Sequence, residues 1–195
     1  MFAISATARD YRRTFSVMKG VMKSIFDQLG VESIRPAIIV YGDSASVRLR
    51  FDEEITDIDE LKRRIDNLPR NTGTPDLNAA LKMAQVVFAG SRPNAKKVLV
   101  IITDDKSDSK PWVITAGARQ LEEEGIEVVA VGIGSEVDRK QLETTTPYKD
   151  NIITADKDDN TKDIANKIVV IILRSKWLSF HKKKRDGLNS VITYK

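Results

Sequence analysis

Hydroxyl and carboxylate side chains gather in three short segments of the 195-residue sequence. The segments are Ser5–Asp10 (SATARD), Asn71–Pro75 (NTGTP) and Thr103–Asp108 (TDDKSD). Their oxygen atoms are hard ligands, which suit Mg²⁺ better than softer transition metals. If the fold brings the three segments together, the sequence predicts an oxygen-lined site that could hold a divalent cation.

The composition leaves little room for enzyme chemistry. The chain has no cysteine, which removes thiol nucleophiles and thiolate metal sites, and His181 is its only histidine. Gly132–Ile133–Gly134 follows a predicted strand as a dinucleotide-binding motif would, but the third glycine of that motif is missing. Asp104 and Asp105 could suggest a phosphoryl-accepting aspartate, although no Walker lysine loop accompanies them. We therefore expect no enzyme activity and no small-molecule substrate.

Apolar runs identify the strands that must position these segments. Unbroken runs bounded by turn residues predict strands that are buried on both faces of a parallel sheet. The alternating run Val47–Phe51 follows the run Ala37–Tyr41 too closely for a crossover helix between them. These two strands should therefore pair antiparallel. The predicted strands, with Val47–Phe51 as that antiparallel edge strand, are Phe2–Ile4, Ala37–Tyr41, Val47–Phe51, Val98–Ile102, Val128–Ile133 and Ile152–Thr154.

Helices are predicted between these strands from apolar spacings of three and four residues and from signals at the helix ends. The signals are Gly30 after the first helix, the capping box Asp57–Glu60, Thr74 as a cap with Pro75 at the first helical position, Pro111 and Gly125 around a fourth helix, Asp138 before a short one, and residues 164–173 for the last. This order of elements predicts a doubly wound α/β fold. Its sheet would have six mostly parallel strands, one antiparallel edge strand and helices on both faces.

In sheets of this kind, ligands bind beyond the carboxyl ends of the strands, where the strand order reverses. Two of the oxygen-rich segments follow predicted strands, and the third leads into a helix start, so all three should meet at this edge. We call residues 5–10, 71–76 and 104–110 the rim. We expect the rim to be the functional surface, whether or not an ion occupies it.

The combined motifs resemble a known family. FAISAT, NTGTP, VLVIITDD and GIEVVAVGIG occur in this order, and together they are similar to the von Willebrand factor type A domain over about residues 2–173. The resemblance implies the Rossmann-like fold of integrin inserted domains and a non-enzymatic role in cell adhesion or the extracellular matrix. It also implies a metal-ion-dependent adhesion site, where Mg²⁺ or Mn²⁺ completes its coordination with a carboxylate of the partner.

The resemblance also indicates that this metal site is degenerate. The Asp-x-Ser-x-Ser motif of the family falls on Ser5, Thr7 and Arg9, while its threonine and second aspartate fall on Thr74 and Asp104. The implied ligands are therefore Ser5, Thr7, Thr74 and Asp104, with a single carboxylate among them. A cation at Arg9 would compete with the metal for that carboxylate, and low ligand charge weakens binding of a divalent ion. A metal-bound site and a metal-free remnant both remain open.

A basic segment follows the domain. Residues 174–195 carry seven basic residues and one acidic residue, a net charge of +6, whereas the rest of the chain has a net charge of −2. The prediction is one domain over residues 1–175 and a basic tail over residues 176–195. Binding of nucleic acid is unexpected for the domain and open only for the tail. No apolar run approaches the roughly 20 residues of a transmembrane segment.

The leading functional hypothesis is a domain that binds a protein or extracellular-matrix ligand at the rim. The alternative is an intracellular scaffold or assembly domain of the same family. The absence of cysteine and of a signal peptide in this chain favours the alternative. The family resemblance suggests an extracellular location.

Overall fold

The computed structural model describes residues 1–7, 11–70 and 73–174. Six strands form its sheet: β1 (Phe2–Ser5), β2 (Ile38–Tyr41), β3 (Ala45–Leu49), β4 (Lys97–Thr103), β5 (Ile126–Ile133) and β6 (Ile152–Ala155). Their order in the sheet is β3-β2-β1-β4-β5-β6. Only β3 runs antiparallel to its neighbour. The predicted fold class, with a mostly parallel sheet and one antiparallel edge strand, is therefore confirmed.

The antiparallel edge strand begins earlier than predicted. It spans Ala45–Leu49 rather than Val47–Phe51, because pairing with β2 begins directly after the tight turn at Tyr41. Phe51 has already left the strand, and its ring packs 5.3 Å from that of Phe88. The apolar alternation of the sequence continues to Phe51, so the predicted strand included this residue. In the structure Phe51 lies in a turn and is buried by contact with Phe88.

Helices cover both faces of the sheet. They are α1 (Tyr11–Leu29), α2 (Ile58–Asp66), α3 (Leu77–Phe88), α4 (Pro111–Glu123), α5 (Arg139–Leu142) and α6 (residues 161–174). The apolar stripes of α1, α2 and α6 pack in one core cluster, and those of α3 and α4 pack in a second cluster on the other face. Burial of these stripes against β-branched strand residues supplies the main stabilising force.

Most predicted helix ends agree with the structure. Gly30 ends α1 with a positive φ of 69°, a conformation that glycine adopts without strain. Asp57 caps α2 by accepting hydrogen bonds from the backbone of Asp59 and Glu60, and Asp138 caps α5. The sequence predicts these helix ends correctly because a capping side chain bonds backbone groups only two or three residues away.

The predicted tail, residues 176–195, lies outside the described residues, so the domain boundary stays a prediction. Within the described ranges, no helix has the length and apolar character needed to cross a membrane.

Candidate functional site

The strand order reverses between β1 and β4. β1 has β2 on one side and β4 on the other, and Ile4 pairs with Ile102 across the second interface. Ser5 and Thr103 therefore end neighbouring strands at the same edge of the sheet. Side chains that follow these two strands meet at the crevice that this topology opens.

Three of the four predicted metal ligands come together there. Ser5 and Thr7 are both buried, and their hydroxyl oxygens lie 3.3 Å apart, which is hydrogen-bonding distance. Asp104 follows β4, and the Ser5 hydroxyl lies near enough to its carboxylate to lower the pKa of Asp104. The first loop and the end of the central strand thus form one polar cluster.

Asp104 is the most unusual group of this cluster. The residue is only 8% exposed, and its Oδ1 is buried without a hydrogen-bond partner among the described residues. Burial raises the pKa of Asp104 from 3.8 to about 6, and the charge of Asp105 adds to the rise, while its own backbone N–H and the Ser5 hydroxyl oppose it. At neutral pH Asp104 therefore remains mostly ionised.

Thr74 and Asp104 line different cavities. It is exposed and lines a cavity of about 380 Å³ together with Asp43, Asp76 and Asp108. Asp104 lines a different cavity of about 340 Å³. Thr74 and Asp104 therefore do not line the same cavity.

The predicted role of Thr74 as a helix cap is wrong. Helix α3 begins at Leu77, and its cap is Asp76, whose carboxylate accepts a hydrogen bond from the backbone of Ala79. Pro75 consequently precedes the helix instead of occupying its first position. Both Thr and Asp are good caps, so the sequence offers two candidates, Thr74 and Asp76, and the surroundings decide between them.

The loop after β4 is fixed by residues that the sequence analysis did not single out. Ser107 accepts a hydrogen bond from the backbone of Leu77, and Ser109 accepts one from Asn78 and donates one to Asp76. Gln141 on α5 both accepts from the backbone N–H of Ser107 and donates to its carbonyl, each at 2.7 Å. These contacts join segments more than 29 residues apart, and no local pattern announces them.

The outward side of the same loop is exposed. Asp108 and Lys110 face solvent, and Trp112, two residues beyond the rim, is 69% exposed. Gly73, in the segment that leads into α3, has a φ of +83° and packs against Asp43. A Cβ added to Gly73 would lie 1.5 Å from the carboxylate of Asp43. The loop after β4 thus presents exposed charged side chains, and the exposed Trp112 lies beside it at the start of α4. Such a surface is suited to contact with another molecule.

The described donor set is sparse for a divalent cation. Mg²⁺ takes about six oxygen ligands in a nearly ideal octahedron. Here Asp104 offers one carboxylate, Ser5 and Thr7 bond each other, and Thr74 lines the other cavity. Over residues 1–7, 11–70 and 73–174, no cluster of three or more His, Cys, Asp or Glu side chains could hold a metal ion. Arg9 lies outside these ranges, and the metal assignment stays a prediction.

Comparisons with known proteins agree with this architecture. The family model of the von Willebrand factor type A domain matches residues 5–167. Collagen alpha-5(VI) chain of Mus musculus is 35% identical over 102 residues, which are 49% of this chain and 4% of the collagen. Matrilin-1 of Mus musculus is 28% identical over 166 residues, which are 80% of this chain and 32% of matrilin-1. The chain therefore spans only a small part of these relatives.

The solved structure of proximal thread matrix protein 1 from the mussel byssus, with a zinc-occupied MIDAS motif, shares the fold. The TM-score is 0.78 at 21% identity, and the match covers 88% of this chain and 44% of that one. The sheet order, the position of Asp104 after the central strand and the family match over most of the chain agree with one another. The chain belongs to the von Willebrand factor type A domain family.

Proposed function

We propose that the chain is a non-enzymatic protein-binding domain of the adhesion or extracellular-matrix type, which recognises its partner at the rim. Relatives that are named as collagen VI chains and matrilin-1 support this proposal, as does the fold shared with a thread matrix protein. The proposal places the domain outside the cell and assigns it no catalytic step.

The observation that carries the proposal is the fixed loop after β4. On its inner side, Ser107 accepts a hydrogen bond from Leu77 of α3 and donates one to Gln141 of α5, while Asp108 on its outer side and Trp112 in the first turn of α4 are exposed. A surface that is ordered before binding loses little conformational entropy when a partner docks. Exposed tryptophan side chains also contribute disproportionately to protein–protein affinity.

The proposed recognition does not require a bound divalent cation. The sparse donor set around Asp104 supports this part of the proposal, together with the separation of Thr74 into another cavity. Mg²⁺ or Mn²⁺ would have to find most of its ligands in water or in the partner. Recognition would then rest on the side chains of the rim themselves.

Binding of the purified chain to immobilised matrix proteins, including type VI collagen, tests the proposal. Trp112→Ala should weaken binding about tenfold or more, because the variant removes an exposed aromatic anchor. Tyr148→Ala is the matched control, since Tyr148 is 53% exposed but precedes β6, at the opposite edge of the sheet. Equal losses in both variants, or a loss only in Tyr148→Ala, would contradict recognition at the rim.

A further inference from the structure

A small cavity lies at the amino-end edge of the sheet, where β1 and β4 begin, opposite the rim. Its volume is about 110 Å³, and its wall includes the loops after α1, β3 and α3 and the end of α6. Four aromatic rings from the two core clusters line it: Phe2, Phe26, Phe51 and Phe88. Because the exposed residues Arg35 and Arg92 also line it, this gap in the apolar core reaches the surface.

The charged residues of this cavity are all cations. Arg35, Arg92, Lys96 and Lys97 line it, and no Asp or Glu is among the described residues that do so. Lys96 forms an ion pair with Glu127 at 2.8 Å. Arg35, Arg92 and Lys97 have no ion-pair partner in the part of the chain that the structure describes. Three positive charges at the cavity are therefore available to an anion.

Ser91 adds a polar group to the apolar wall. It follows the end of α3, and its Oγ is buried without a hydrogen-bond partner among the described residues. A buried hydroxyl without a partner costs free energy, which an incoming polar group would recover. Both the N–H and the carbonyl group of a peptide can bond a hydroxyl, so a peptide segment meets this requirement.

The size of the cavity decides what can enter it. Pockets that enclose a whole small molecule have volumes of about 300–1,000 Å³. This cavity, at about 110 Å³, accommodates one aliphatic side chain and is too small for a lipid chain or a cofactor. The surrounding cations then favour acidic residues on either side of that side chain, since a guanidinium group can bond both oxygens of a carboxylate.

We infer that the amino-end edge docks an acidic segment of a protein partner. One leucine-sized side chain of that segment enters the cavity, and its carboxylates pair with Arg35, Arg92 and Lys97. This surface is separate from the rim, so the inference goes beyond the proposed function and adds a second partner.

The chain itself contains a competing occupant. Residues 175–195 follow α6, whose Ile172 lines the cavity. They carry six basic residues and one acidic residue, a net charge of +5. Repulsion between like charges opposes the placement of this segment beside three cations, whereas an acidic partner has the complementary charge.

The probe for this inference is the peptide acetyl-Glu-Glu-Leu-Glu-Glu-amide, added to the ¹⁵N-labelled full chain and followed by NMR. The backbone signals of Ile34, Ser91 and Ala95 should shift in a saturable way, because these residues line the cavity. A peptide with Ala in place of Leu should bind about tenfold more weakly, since burial of the aliphatic group is lost. A peptide with Gln in place of each Glu should also bind more weakly, because it lacks the negative charges.

Variants of the chain test the two parts of the site separately. Arg92→Gln should weaken binding of the probe about threefold, because one exposed ion pair is lost. Lys82→Gln is the matched control, since Lys82 is an exposed cation on α3 that does not line the cavity. Ser91→Leu fills the cavity and removes the unbonded hydroxyl, so it should block the leucine of the probe and raise the melting temperature.

Three outcomes would overturn the inference. The first is equal binding of the Leu and Ala peptides, and the second is an equal loss in Arg92→Gln and Lys82→Gln. The third is binding that appears only when Trp177 and Phe180 are both replaced by Ala, which would assign the cavity to the C-terminal segment of the chain. Trp112→Ala should leave binding of the probe unchanged, so failure at this edge and failure of recognition at the rim are distinguishable.

Discussion

The two edges of the sheet hold different kinds of cavity. The amino-end edge has the larger one, about 880 Å³, but its polar groups pair with each other. Lys96 lies 2.8 Å from Glu127, and Asn151 donates to Glu127 and to the carbonyl of Val128. Arg174 in turn donates to Asn151. The rim has smaller cavities, yet one of them contains a buried carboxylate oxygen that no residue of the described ranges bonds.

This difference indicates that cavity size is a poor guide to function in this protein. A cavity lined by mutually paired groups gives an incoming ligand no unmet hydrogen bond to satisfy. An unpaired buried group does the opposite, because its desolvation cost persists until a partner arrives. The rim is therefore the stronger candidate site, although its cavities are less than half the volume of the other.

The largest expected effect is a loss of stability when a buried side-chain amide is removed. Each of the two edges has one such amide, Gln141 at the rim and Asn151 at the amino-end edge. Gln141→Ala should lower the free energy of unfolding by about 2–4 kcal/mol, because the backbone N–H and carbonyl of Ser107 would both lose their partner. Asn151→Ala should cost a similar amount at the amino-end edge. Urea denaturation measures both values.

Binding separates the two amide variants. Only Gln141→Ala should also weaken binding to matrix proteins, since Gln141 holds the loop of the rim and Asn151 does not. If Asn151→Ala weakened binding as much, the comparison between the two edges would be broken.

A second, smaller effect should differ in sign between the edges. The pKa of Asp104 is about 6 in the folded chain against an ordinary 3.8, so its ionisation favours unfolding once the pH exceeds the lower value. Asp104→Asn should therefore stabilise the protein at pH 7, by on the order of 1–3 kcal/mol. Below about pH 4 the gain should vanish, because Asp104 is protonated in both states there.

Glu127→Gln is the counterpart at the amino-end edge. It removes the charge that pairs with Lys96, so it should destabilise the protein at pH 7 by about 1 kcal/mol. Denaturant titrations of both variants between pH 4 and pH 7 supply the measurement. Stabilisation by Glu127→Gln, or destabilisation by Asp104→Asn at pH 7, would reverse the interpretation of the two edges.

The smallest expected effect is the response to divalent ions. A site with a dissociation constant of about 0.1 mM would stabilise the fold by about 2.7 kcal/mol at 100-fold excess of free ion, which would raise the melting temperature by several degrees. We expect Mg²⁺ and Mn²⁺ to leave the melting temperature unchanged, since the described residues at neither edge assemble enough ligands. A rise that Asp104→Ala abolishes would instead establish a metal site at the rim.

Local features of the sequence were sufficient to predict most of the fold. Buried runs such as Val98–Ile102 and end signals such as Gly30 and Asp57 act over a few residues, so their meaning is readable without the rest of the chain. The end of β3 was misplaced because Phe51 is buried by contact with Phe88, which lies on a distant helix. The same limit applies to Thr74, whose capping role was taken by Asp76.

The sequence by itself predicted a mostly parallel sheet with one antiparallel edge strand, and with it the meeting of the segments that contain Ser5, Thr7 and Asp104. Only the tertiary structure decided the strand order, the lining of a separate cavity by Thr74 and the contacts by which Gln141 fixes the loop of the rim. It also decided that Asp104 is buried, with one oxygen that no described residue bonds. Hydrophobic patterning encodes which elements form, whereas hydrogen bonds between loops depend on ångström-scale distances that arise only after those elements have packed.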